Sequence, residues 1–97
     1  MATVKDLLPG DLVTLGGRRA VLLVSCDHPV WSGVLLTVWR MKDDDSVTVA
    51  AMDPRDPGPD PEPIESAARA DRLMAELITA GEAMRFGAGL RRREAQT

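Results

Sequence analysis

The chain has no tyrosine and no asparagine, and its 97 residues include one phenylalanine, two tryptophans, one histidine and one cysteine. Each scarcity excludes something. A lone Cys26 rules out an intramolecular disulfide framework and fits a reducing compartment. With three aromatic residues, aliphatic side chains must fill the core. A chain this short buries a small core and leaves little room for a deep substrate cavity. No apolar run follows a basic start in "MATVKDLLPGDL", so no secretory signal is expected, and no stretch reaches the length of a bilayer span. The expected location is the cytoplasm.

Basic charge comes almost entirely from arginine, a bias that fits a GC-rich genome. The net charge of −3 weakly opposes nonspecific binding to nucleic acid. Acidic excess concentrates in the middle of the chain, and "RRR" at 91–93 forms a basic spot near the end.

What is present divides into three segments: 1–52, 53–63 and 64–97. The first reads as strands and turns. In "LPGD" (8–11), Pro9 and Gly10 supply a fixed φ and then a permissive one, as a β-turn requires. Strands are expected at 12–15, 19–26, 33–41 and 47–52, with "GG" at 16–17 as a hairpin signal and "KDDDS" (42–46) as a polar turn. Four short strands at this spacing suggest a small, strongly curled antiparallel sheet or barrel. The third strand is apolar on both faces (Val34, Leu36 and Val38 against Leu35, Trp39 and Met41), so something must cover the second face.

The stretch "DPRDPGPDPEP" (53–63) holds five prolines and four acidic residues and reads as an extended, semi-rigid spacer. From Ile64 to about Phe86 the apolar spacing is helical. Ala67, Ala70, Met74, Leu77, Gly81 and Met84 recur at steps of three and four, widened by Leu73 and Ile78. A start near Asp60 or Glu62, a stop at Gly87 and a frayed tail are expected, with Glu65–Arg69 and Glu82–Arg85 as solvent-facing pairs.

The stretch "HPVWSGVLLTVWR" (28–40) concentrates the rare residues. Trp39, in mid-strand among aliphatics, reads as core. Trp31, in the loop between Pro29 and Gly33, either closes the barrel mouth or stands as an exposed anchor of the kind enriched at binding hot spots. Cys26 and His28 share a strand face, but no oxyanion-hole motif accompanies them, so no catalytic residue is assigned. Two such ligands beside a flexible "DDD" turn do not make a zinc or magnesium site. No metal or cofactor is expected. In "LGGRR" no helix follows the glycines, so the phosphate-cradling arrangement is missing.

The segment "LPGDLVTLGGRRAVLLV" resembles the opening of small SH3-like barrels. The run "HPVWSGVLLTVWRMKDDDSVTVAAMDPR" is similar to small uncharacterised proteins of actinobacteria and their phages, in which an HP-x-W-x-G loop leads into a strand ending V-W-R. The resemblance spans about residues 7–56. It implies an SH3-like barrel and, for a phage-encoded chain, a place in the host cytoplasm. It brings no activity with it, and it departs at "KDDDS", where a tight D-G turn is expected.

The expected architecture is mainly β with a C-terminal helix: an SH3-like antiparallel barrel, a spacer and one amphipathic helix. The leading expectation is a non-enzymatic protein-interaction module, a phage accessory protein acting on host machinery through an unidentified host or phage protein. His28, Trp31, Arg18, Arg19 and Arg40 are its partner-binding candidates, and Ala67, Ala70, Met74, Leu77, Gly81 and Met84 its seam for a homodimer. The alternatives are a KOW-like nucleic-acid-binding barrel, with the arginines on phosphates and Trp31 stacking a base, and an oligomer that sequesters a small ligand between subunits.

Overall fold

The structure is a computed structural model that describes residues 3–96, with side chains through Glu82. Four strands, β1 (Leu12–Leu15), β2 (Arg18–Asp27), β3 (Leu35–Met41) and β4 (Val47–Met52), form one antiparallel sheet in sequence order. A helix, α1 (Ser66–Gln96), follows. The mainly-β fold with a C-terminal helix is as expected, and the strand bounds differ by at most two residues. The barrel is not. β1 and β4 stay at opposite edges, and the sheet does not close. The four-residue β1 pairs with β2 alone, and the chain's own spacer lies against it. The Glu62 N–H donates to the Leu12 carbonyl at 3.0 Å, and Arg19 pairs with Glu62 at 2.8 Å.

Local chemistry sets the turns. The Asp11 N–H donates to the Leu8 carbonyl at 3.0 Å, and Gly10 takes φ +95°, so Leu8–Asp11 is a turn with Pro at its second position and a left-handed residue at its third. The Asp11 carboxylate accepts from the Leu8 N–H at 2.8 Å and fixes the turn from below. Asp45, at φ +59°, takes the left-handed position in the β3–β4 connection that a glycine fills in a tight turn. A one-residue irregularity in β2 between Leu22 and Val24 bends the strand.

The core lies on one face of the sheet: Leu7, Val13, Ala20, Leu22, Trp39 and Met41, flanked by Leu15, Ala50 and Met52. A short 3₁₀ turn, Val4–Asp6, brings Leu7 over this face. That turn is tied to the proline segment by a Thr3–Pro57 bridge and by N–H donation from Val4 to Asp56 and from Lys5 to Pro54, each at 3.1 Å. The 53–63 segment is therefore not a free spacer. It is held at 54–58 by the N-terminus and at Glu62 by β1.

The β2 side of the opposite face is covered by α1, which also departs from expectation. It starts at Ser66, with the Glu65 carbonyl accepting from the Arg69 N–H at 2.9 Å, three or more residues later than the prolines suggested. It continues through Gly87 to Gln96, because the surrounding Ala, Leu, Arg and Glu are strong helix formers and single glycines cost only about 1 kcal/mol each. It rests on the turn before β1. A Cβ on Gly10 would come within 2.5 Å of the Arg69 carbonyl oxygen and 3.2 Å of the Leu73 Cβ.

Candidate protein-interaction surface

The face that α1 turns to the sheet carries charge among small apolar contacts. Glu76 and Ala80 are buried, and Arg69, Arg72 and Leu73 half-buried. Glu76 accepts hydrogen bonds from Arg40 and, at 2.5 Å, from Lys42. Arg69 lies 3.7 Å from Asp11, and Arg72 donates to the Gly10 carbonyl at 3.4 Å. Arg69 pairs with Asp11 in place of the expected Glu65. Burial opposes ionisation of Glu76, but the hydrogen bonds and charges of Lys42 and Arg40 outweigh it and hold the carboxyl below its ordinary value.

Arg40 is correspondingly not a partner-binding residue. Its side chain is 7% exposed, Asp45 takes its second terminal nitrogen at 2.6 Å, and its Nε is buried without a hydrogen-bond partner. It anchors the helix. Arg18 and Arg19 are exposed but engaged. Arg18 holds Asp43 at 2.7 Å and Asp44 at 3.1 Å, and the Arg18 guanidinium brings the Asp43 carboxyl down to about 2. Arg91–Arg93, Met84 and Arg85 lie outside the described side chains.

With its charged side inward, α1 turns its apolar stripe outward. Met74 is 60% exposed, Ile78 56% and Leu77 41%; Ala67 and Ala70 are exposed beside them and Gly81 is half-buried. Five of the six seam positions therefore lie among the described side chains, and none of the five carries the docking of α1 on its own sheet. That docking in cis leaves the sheet no need of a helix from another copy.

The second exposed cluster is the loop after β2. The His28 and Trp31 rings stack at 4.6 Å with 14° between planes, and the His28 Nδ1 accepts from the N–H groups of Val30 and Trp31 at 3.0 Å each. The ring proton is therefore placed on Nε2. Val30 is 78% and Trp31 59% exposed, so Trp31 stands as an exposed aromatic and does not plug a mouth. With Nδ1 occupied by two backbone donors, His28 is not arranged as a base for the exposed Cys26. An open cleft of about 500 Å³ lies beside this loop, between Leu7, Leu8, Pro9, Leu35 and Pro54, with Lys5 and Asp27 at its margin.

Among the described residues, no group of three or more His, Cys, Asp or Glu side chains is placed to hold a metal ion, and no helix is long and apolar enough to cross a membrane. No protein-family model, curated protein or solved structure matches this chain.

The Asp11, Arg40, Lys42, Glu76 and Arg69 network escaped sequence reasoning. One signal pointed to it. Arg40 alternates with Val34, Leu36 and Val38, and a lone charge on an otherwise apolar strand face requires a carboxylate from another element.

Proposed function

We propose that this chain is a non-enzymatic protein-interaction module that presents the outward face of α1 to a protein partner. The observation that carries the reading is the inversion of the helix: charge faces the sheet, and Met74, Leu77 and Ile78 face solvent. Apolar side chains at such spacing are the anchors of a helix that lies in a groove of its partner. Trp31, a rigid exposed aromatic, offers a second anchor. The resemblance to actinophage proteins makes a host protein the natural partner, with the phage-encoded chain acting on host machinery.

A nucleic-acid reading draws less support. Arg18 and Arg19 are neutralised by Asp43, Asp44 and Glu62, and Arg40 is buried, so three of the basic groups suited to phosphates are committed within the chain.

The test is affinity capture from host lysate with wild-type protein and with Leu77→Glu as baits. A partner held by the wild type and lost with a folded Leu77→Glu supports the reading. Capture that is indifferent to Leu77→Glu, or no capture, overturns it. Co-purifying nucleic acid would favour the rival.

A further inference from the structure

The two edges of the sheet are treated differently. At the β1 edge, the Leu12 carbonyl is taken by the N–H of Glu62. At the β4 edge, Val47–Met52 pairs with β3 on one side, and among the described residues no other main-chain bond reaches it. The usual protections of an open edge are an in-strand charge, a proline, a bulge or a covering segment. The sequence "VTVAAM" has no charge and no proline, the β3–β4 register runs without a shift, and Val49 is 62% exposed.

We infer that β4 is a pairing edge for a second copy of this chain, joined antiparallel about a two-fold axis perpendicular to the sheet. The strand suits itself as a partner. It is free of charge, so its side chains meet no like-charge opposition across the axis. A two-fold centred on Ala50 also sets Asp45 of each copy opposite Arg55 of the other, whereas one centred on Val49 would oppose Asp45 to Asp53. Arg55 is 87% exposed, and its described ion-pair partner is Asp53 at 3.4 Å; Asp44 and Asp45 are 55% and 73% exposed. The α1-side face gains as well. Val38 and Val49 are directly paired and share that face, as are Leu36 and Ala51, so the two-fold makes one apolar strip of the two open ones. The two sheets become a single continuous sheet. Isologous pairing closes on itself, so it stops at a dimer.

This surface is distinct from the α1 stripe. Two copies joined at β4 carry two such stripes, and a bivalent module gains avidity without any new contact.

The experiment is light scattering on the full chain across a dilution series from about 1 mM to about 1 µM, for wild type, Val49→Lys, Arg55→Glu and Leu77→Glu. Val49 and Arg55 are exposed, and circular dichroism verifies that the variants are folded. The expected result is a mass of two chains falling to one on dilution. Val49→Lys is expected to remain one chain throughout, Arg55→Glu to weaken association about tenfold, and Leu77→Glu to behave as wild type. Hydrogen exchange of β4 amides should slow as concentration rises. A single-chain mass at every concentration overturns the inference, and so does a dimer that survives Val49→Lys. A dimer lost with Leu77→Glu but kept with Val49→Lys assigns self-association to α1 and overturns it too. The α1 reading is decided separately, by capture.

Discussion

Replacing Gly10 with alanine measures how α1 is seated. Two penalties meet at this position. The backbone is at φ +95°, where a side-chain-bearing residue costs about 1–2 kcal/mol. The new Cβ would also lie 2.5 Å from the Arg69 carbonyl oxygen, a main-chain atom that moves only if the helix moves, and overpacking of this kind costs about 1–3 kcal/mol. Gly17 separates the two. It sits at φ +83° with nothing within 4 Å of its would-be Cβ, so Gly17→Ala carries the backbone penalty alone. Each kcal/mol lowers the midpoint by about 4–8 °C in a domain of this size, so Gly10→Ala should melt about 4–24 °C below Gly17→Ala. Thermal unfolding followed by far-ultraviolet circular dichroism reads both. Equal midpoints for the two variants would refute the seating of α1 on the Leu8–Asp11 turn.

Two further outcomes are expected. Glu76→Gln keeps the shape and removes one of the two charges that compensate buried Arg40, for a loss of about 3–5 kcal/mol at neutral pH. The Glu76 carboxyl lies below its ordinary 4.5, so its contribution is complete above that value and is lost as pH falls through the lowered one. Urea midpoints should therefore converge between wild type and Glu76→Gln in acid; a constant gap would contradict the pairing. Truncation after Asp56 removes α1 and uncovers Leu12, Val21 and Leu23, which are now buried, and the fragment should aggregate. A monomeric, cooperatively folding 1–56 fragment would refute this.

The strands were legible because turn chemistry brackets them: Pro9–Gly10, Gly16–Gly17, Pro29 and Asp43–Asp45 are local signals, and each falls at or beside a strand end. Closure was not legible. Whether β1 meets β4 depends on curvature and on what lies against β1, and neither is written in a short window. The helix was legible as a helix but not in its orientation. Periodicity chose the apolar stripe through Met74 and Leu77 as the buried side. The docked side is set by carboxylates and cations distant in sequence, Asp11 with Arg69 and Glu76 with Arg40 and Lys42. A buried charge is costly to leave unpaired, and that requirement outranked the burial of an exposed methionine and leucine. Trp31 and His28 were visible as an unusual cluster, while their stacking required the Nδ1 bonds that fold the loop back on itself.

The two indoles have a consequence for optics. Trp39 is 1% exposed, and its Nε1–H donates to the Thr37 hydroxyl at 2.8 Å, which in turn donates to the Ala50 carbonyl at 2.9 Å on β4. Its excited state is held in a dry cage with a fixed dipole. Trp31 lies in water against an imidazole. A collisional quencher such as acrylamide reaches Trp31 and not Trp39, so the emission of one chain separates into an outer and an inner component without any label. The outer component follows the 28–33 loop and whatever lands on it. The inner one shifts only when β3 and β4 part.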